Sequence, residues 1–225
     1  MKLKAIAAAG LMLAGIGAAH AGSATYTVTF ESAWSQATHP IDYPANAHFS
    51  PFIGATHGAG YSIFKERGMS TDGLKRVAEM GAPSPLDAEI QNAIAAGTAG
   101  QMIRGEPVKT LPGKTTMSFT ADDAHAVVSI VTMVAPSPDW FTGVSSLALK
   151  EKGKWVGRKA VTVYAWDSGT DSGATFLAPD LATEPREAVH LSNSSIFIAD
   201  GKRLPMGTFT FVKQSESAAE MSSRN

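Results

Sequence analysis

The sequence predicts a mainly β protein, an antiparallel β-sandwich with two short helices and a long ordered loop region. Three observations predict this fold: an alternating segment near the N-terminus, a long apolar run, and turn residues at roughly even spacing in the second half. Alternation with period two indicates a strand buried on one face, and short, regularly spaced strands are typical of sandwiches and barrels. The 225 residues are enough for one domain with its own core.

The N-terminus has the pattern of a secretory signal. Lys2 and Lys4 precede an apolar run, which ends in the small-x-small sequence Ala19-His20-Ala21. We therefore predict a signal peptide over residues 1–21, cleavage near Ala21, and a protein that is secreted or otherwise extracytoplasmic. A single domain is predicted over residues 22–213, followed by a polar, disordered tail over 214–225. No segment is long and apolar enough to predict a transmembrane helix.

The predicted elements follow in chain order. Tyr26, Val28 and Phe30 alternate with threonines and predict the first strand, whereas residues 32–68 predict an irregular ordered loop. Apolar spacing predicts two helices, which end at Gly81 and Gly97. Residues 97–114 are then predicted as a loop. Further strands are predicted at Val127 to Val134 (buried on both faces), Val144 to Leu149, Ala160 to Tyr164, Glu187 to His190, Ser195 to Ile198 and Thr208 to Val212.

Composition excludes several classes of function. The chain has no cysteine, which excludes a thiolate metal site and a cysteine nucleophile. Its net charge is −1, so nothing in the overall charge favours nucleic acid as a partner.

The first candidate site motif is Pro136-Ser137-Pro138-Asp139-Trp140-Phe141. The two prolines restrict the backbone and hold Asp139 in a fixed direction, while the aromatic residues anchor the turn. An aspartate in a turn also commonly bonds nearby backbone amides, and that alternative stays open.

The second motif is Trp166-Asp167-Ser168-Gly169-Thr170-Asp171-Ser172-Gly173. Two carboxylates four residues apart, separated by small residues, can surround one point with oxygen atoms. Calcium prefers such an oxygen-only ligand set, whereas zinc prefers histidine or cysteine. A polar hairpin turn is the alternative. Each motif follows an apolar strand, so both can lie at one end of a sandwich, and Asp122 and Asp123 lie on a third turn.

A third group contains His39, His48 and His57 with Asp42 and Ser50. Histidine with carboxylate and hydroxyl groups suggests a metal-assisted hydrolase as an alternative function. The spacing matches no helical metal motif and no nucleophile elbow, and loop histidines commonly hydrogen-bond backbone groups instead.

These motifs together resemble the spondin domain, the module of F-spondin and mindin, over about residues 26–183. The resemblance implies a C2-like antiparallel β-sandwich with one calcium ion at one end, held by Asp139, Asp167 and Asp171. Family members resembling mindin have a further acidic ligand where this chain has Thr120, and Asp122 is the candidate substitute. The stretches that carry the resemblance are Thr29-Phe30, Trp34-Ser35, His39-Pro40, Tyr43-Pro44, His48-Phe49-Ser50-Pro51, Val77-Ala78-Glu79-Met80-Gly81, Pro136 to Gly143 and Trp166 to Gly173.

The resemblance implies a non-catalytic, exported module for cell-surface or matrix adhesion. Its ligand is not identified by the sequence, and the animal members' partners do not transfer to this chain. A calcium-dependent membrane-surface binder is the other alternative; it would need basic or aromatic residues around the metal turns, and this sequence has few basic ones there.

Overall fold

The computed structural model describes residues 22–217, which form two main antiparallel sheets, two separate two-stranded pairs, and helices on one side. The predicted signal peptide and residues 218–225 of the predicted tail lie outside the described residues. The elements are β1 (Ser23–Ser32), β2 (His48–Phe49), β3 (Phe52–His57), α1 (Asp72–Met80), α2 (Leu86–Ala95), β4 (Ala99–Gly105), β5 (Lys114–Asp122), β6 (Val127–Ala135), β7 (Trp140–Ala148), β8 (Lys150–Glu151), β9 (Lys154–Trp155), β10 (Arg158–Val163), β11 (Trp166–Asp167), β12 (His190–Leu191), a 3-10 helix (Ser195–Phe197), β13 (Ile198–Ala199), β14 (Lys202–Arg203) and β15 (Gly207–Ser217).

The smaller sheet has the strand order β10-β15-β1-β5, and the larger has the order β12-β11-β7-β6-β3-β4, with β2 also pairing with β6. In β1 every second residue is buried, as the alternation predicts. Tyr26, Val28 and Phe30 of β1 meet Phe209 and Phe211 of β15 in a core shared with the inner face of the larger sheet. The predicted mainly β, antiparallel sandwich is therefore confirmed.

The helices cover the outer face of the larger sheet. Thr71 caps α1 by accepting a hydrogen bond from the Leu74 backbone N–H, and Gly81 ends the helix with a left-handed φ of 63°. Leu74 and Val77 pack with Ile90 of α2 against Val131 of β6 in a second apolar cluster. Because β6 is covered on both faces, its residues from 128 onward are all buried, which confirms the predicted central strand.

Two predicted loops contain strands. The region 32–68 includes β3, and the region 97–114 includes β4, its partner. The strand β3 lies between β4 and β6 and is buried along its whole length, so its sequence shows no alternation. Gly54 is required there because a Cβ atom would overlap the Ser129 carbonyl oxygen of β6. Small residues let β3 lie close to β6, but small residues are also common in loops. The sequence therefore predicted a loop where β3 lies.

Two further boundaries differ from the prediction. Residues 195–197 form a 3-10 helix, capped by the Ser194 hydroxyl, and not a strand. The predicted tail boundary at residue 214 is also wrong, since β15 continues to Ser217. The polar end of β15 is ordered by pairing with β1, where Ser23 lies opposite Ser217 and their hydroxyl groups are 2.8 Å apart.

Candidate metal centre

The two predicted acidic turns meet at one end of the larger sheet. Asp139 lies in the turn between β6 and β7, and Asp167 is the last residue of β11. Pairing of β11 with β7 places Asp167 directly opposite Trp140. The Ser168 backbone N–H donates to the Asp139 carbonyl oxygen at 3.2 Å, which links the two turns. The prediction that both motifs lie at the same end is confirmed.

One oxygen of Asp139 organises the second turn. The side chain is fully buried. Its Oδ2 accepts hydrogen bonds from the backbone N–H groups of Thr170 at 2.7 Å and Asp171 at 3.1 Å, and from the Ser168 hydroxyl at 3.1 Å. The turn-forming role that the sequence left open is therefore present, and it uses only half of this carboxylate.

The other oxygen, Oδ1 of Asp139, is buried and has no hydrogen-bond partner among the described residues. Burial, and next the negative charge of Asp167, raise the pKa of Asp139 to about 6. A buried carboxylate oxygen without a donor is costly, since buried polar groups are almost always paired. An orphaned oxygen therefore lies beside a second carboxylate in this turn.

Asp167 is less buried and lies between two cross-strand neighbours, Trp140 of β7 and His190 of β12. Its Oδ1 accepts a hydrogen bond from the Gly169 backbone N–H at 2.9 Å. Burial raises the pKa of Asp167, while the Gly169 N–H and the nearby His190 oppose that rise. Two carboxylates that both disfavour their charged form in the metal-free protein share this end of the sheet.

Asp171 lies beside the other two, but its side chain faces its own loop. Oδ1 accepts from the Gly173 backbone N–H at 2.7 Å, and Oδ2 accepts from the Leu181 backbone N–H at 2.8 Å. An isolated β-bridge to Ala182 closes the same loop. Within residues 22–217, no three His, Cys, Asp or Glu side chains form a ready-made metal cage. The oxygen-only donors of Asp139 and Asp167 fit a hard cation, and Asp171 joins the centre chiefly through its backbone.

The structure does not bring Asp122 and Thr120 to this centre. Asp122 ends β5 shortly before β6 begins at Val127, and Val127 pairs with Ala148, the last residue of β7. The Asp122 carboxylate accepts from the His125 backbone N–H and contacts the His125 ring. Thr120 is exposed. Turns before and after one strand lie at opposite ends of an antiparallel sheet. The suggestion that Asp122 substitutes for a ligand is therefore wrong.

Among residues 22–217, the three histidines form no cluster of three or more metal-binding side chains with the acidic residues. His57 pairs with Val127 at the far end of β6, and its ring bonds the Ser129 hydroxyl and the Gly58 carbonyl, both at 2.8 Å. His48 bonds the Asn46 carbonyl at 2.8 Å. Each of these rings is held by local groups, so the structure does not assemble the site that the hydrolase alternative requires.

His39 is fully buried, and burial lowers its pKa to about 4. Its Nδ1 lies 2.9 Å from the Thr38 hydroxyl, and its Nε2 has no partner in the described chain. The ring is therefore neutral in the folded protein near neutral pH, while in the unfolded chain it gains a proton near pH 6.5.

His39→Gln is expected to flatten the pH dependence of stability. A lowered folded pKa contributes stability that is complete above pH 6.5 and is lost as the pH falls towards 4, by up to about 3 kcal/mol. Urea unfolding of both proteins at pH 7, 6, 5 and 4 checks this. Parallel losses of unfolding free energy in the two proteins would contradict the assignment.

Sequence reasoning missed two residues beside Asp167. Glu187 and His190 line, together with Asp167, a mostly polar cleft of about 480 Å³ above the centre. They were missed because they follow Asp167 by some twenty residues, after an irregular segment. Nothing in the sequence indicates that β12, which contains His190, pairs with β11. Aromatic rings support the cleft from below: Trp140 lies 5.2 Å from Phe176 and 4.9 Å from Phe197, centroid to centroid.

Among residues 22–217, none of the helices has the length and apolar character that a bilayer span requires. Comparison with protein families matches residues 24–200 to Spondin_N. Spondin-2 of Rattus norvegicus is 34% identical over 210 residues, which covers 86% of this chain and 63% of that protein.

Two other curated relatives give the same result. Spondin-2 of Homo sapiens is 37% identical over 179 residues, 76% of this chain and 53% of that protein. Spondin-1 of Homo sapiens is 36% identical over 181 residues, 75% of this chain and 22% of that protein. The chain thus spans less than two thirds of each relative. Because the family match extends over most of its length, this chain belongs to the Spondin_N family.

Proposed function

We propose that this protein is an exported, non-catalytic module that binds one calcium ion and adheres to a cell-surface or matrix component. The observation that carries the proposal is the buried Oδ1 atom of Asp139, which has no hydrogen-bond donor among residues 22–217. Asp139 and Asp167 would hold the ion. Asp171, the third residue of the family's ligand set, would have to turn its carboxylate away from the Gly173 and Leu181 backbone N–H groups to join them. Calcium accepts carboxylate, hydroxyl and carbonyl oxygens in flexible geometry, which suits this turn.

The electrostatics of the centre support a bound cation. Two buried, neighbouring carboxylates raise the free energy of the folded protein at neutral pH. When bound, the ion supplies positive charge that offsets their repulsion and provides a partner for the orphaned oxygen. The secreted location is proposed from the sequence of residues 1–21 and from the family, and the adhesive role from the family.

Thermal melting tests this function directly. Calcium at about 100 times its dissociation constant should stabilise the wild type by about 2.7 kcal/mol, or roughly 5–10 °C in Tm. Asp167→Ala should remove that response, because it deletes one of the two carboxylates. Glu106→Ala, which changes an exposed acid outside the cleft, should keep it. A melting temperature of the wild type that is the same in calcium and in chelator would overturn the proposal.

A further inference from the structure

One short segment concentrates positive charge in a chain whose net charge is −1. Between residues 150 and 159 there are five basic residues and one acidic residue, Glu151. The net charge of the whole chain does not reveal this local excess of positive charge. The basic residues are Lys150, Lys152, Lys154, Arg158 and Lys159.

The segment forms a fixed hairpin and the start of an edge strand. The strands β8 and β9 pair through Lys150 and Trp155, and positive φ angles of 51° at Lys152 and 78° at Gly153 make the tight turn between them. The ammonium group of Lys150 lies 4.8 Å from the Trp155 ring centroid. The Tyr26 hydroxyl donates to the Val156 carbonyl at 2.7 Å, which ties the hairpin to the core.

Three of these charges are free to meet a ligand. Lys150 pairs with Asp123, and Lys159 pairs with Glu151. Lys152, Lys154 and Arg158 are exposed and make no ion pair within residues 22–217. A segment that is tied to the core and presents three cations without an ion pair among the described residues can attract an anionic ligand.

This surface is remote from the metal centre. The strand β7 begins next to Asp139 and ends at Ala148, immediately before the hairpin. A nine-residue strand is about 30 Å long, so the two sites lie at opposite ends of the sandwich. A ligand of the hairpin therefore does not need the metal.

We propose that the segment over residues 150–159, which comprises the hairpin and the start of β10, binds an anionic polysaccharide, one that carries repeated carboxylate or sulfate groups. Single-stranded nucleic acid also needs exposed aromatic rings for base stacking, but Trp155 is buried beneath Lys150. A membrane site needs apolar side chains that insert, and the exposed large apolar residues of the described chain all lie outside this segment. A hydrophilic polyanion without bases or acyl chains matches what the surface offers.

Two triple charge reversals with the same change in net charge test the proposal. The first, Lys152→Glu with Lys154→Glu and Arg158→Glu, reverses the three cations of the 150–159 segment that make no ion pair within residues 22–217. The control reverses three exposed cations elsewhere, Arg76, Lys109 and Lys202. Binding of heparin and of polygalacturonate to the full chain is measured by calorimetry from 50 to 200 mM NaCl, with duplex DNA and phosphatidylglycerol vesicles as competing ligand classes.

The wild type should bind at least one of the two polysaccharides, more weakly as salt rises, and the hairpin variant should lose at least about tenfold in affinity. The control should stay within about threefold of the wild type, and chelator should leave binding unchanged, whether or not the protein binds calcium. Equal losses in both variants would show a mere net-charge effect and overturn the proposal. So would failure to bind either polysaccharide at 50 mM NaCl, or tighter binding of DNA or vesicles.

Discussion

Asp139→Asn should abolish the calcium response and, in the presence of chelator at pH 7, should leave the protein more stable than the wild type. The Thr170 and Asp171 backbone N–H groups donate to the carboxylate oxygen Oδ2 in the wild type, and they can still donate to the amide oxygen of the variant. The substitution also removes a buried charge that lies beside Asp167. Relief of that charge is worth about 1–3 kcal/mol in the metal-free protein.

The stability that Asp139→Asn gains over the metal-free wild type should depend on pH. A folded pKa of about 6, raised above the ordinary value of 3.8, means that metal-free wild type loses stability as the pH rises between these values. The difference in unfolding free energy between variant and wild type should therefore be small near pH 4 and largest above pH 6. Denaturant unfolding in chelator at both pH values, and then in calcium, measures it.

Asp122→Asn is the matched control, because Asp122 lies at the other end of the sandwich. It should retain the full calcium response. The contrary result is an Asp139→Asn variant that is clearly less stable than the wild type in chelator and still responds to calcium. That result would show that Asp139 only stabilises the 168–171 turn through hydrogen bonds and does not bind the ion.

Phe176→Ala is expected to lower the free energy of unfolding by about 3–5 kcal/mol. Phe176 is 2% exposed, and its ring centroid lies between 5.2 and 5.8 Å from those of Trp34, Trp140 and Phe197. It is the anchor by which the segment after Asp171 attaches to the core. Removal of the ring leaves a cavity under the metal centre, so apparent calcium affinity should fall as well.

Leu177→Ala controls for the loss of an apolar side chain from the same segment. Leu177 is 72% exposed, so its truncation should change the unfolding free energy by less than about 0.5 kcal/mol. Urea unfolding of both variants in calcium and in chelator separates the effects. Similar losses in the two variants would mean that the segment is not anchored by Phe176.

The sequence predicted the strand and the helices that have one apolar face and one polar face. It also predicted the strand β6, which is apolar on both faces. Alternation identified β1, continuous apolar residues identified β6, and apolar spacing identified the two helices. It missed β3, because Gly54 and Ala55 are small so that neighbouring strands can approach, and small residues are also common in loops. It missed β4 because a half-exposed edge strand with Gly and Gln has little β-favouring character.

The site was predicted in part for similar reasons. Rigid, small-residue turns after apolar strands identified Asp139 and Asp167, and strand pairing brings them together. Asp122 and Asp139 lie before and after the predicted strand at Val127 to Val134, which places them at opposite ends of an antiparallel sheet; the suggestion that Asp122 is a ligand did not take this chain order into account. The sequence also does not show which way a side chain points. It therefore could not predict that the Asp171 carboxylate turns towards Leu181 and accepts a hydrogen bond from its backbone N–H.

The most direct measurement is a calorimetric titration of the metal-stripped protein with calcium, with Asp139→Asn titrated in parallel. We expect one ion bound per wild-type chain and no binding by the variant, with the wild-type heat absent when magnesium replaces calcium at equal concentration. No calcium binding by the wild type up to about 10 mM, a concentration at which even weak extracellular sites are filled, would show that the turns at Asp139 and Asp167 are not a calcium site. Equal binding by the two proteins would show that Asp139 does not hold the ion.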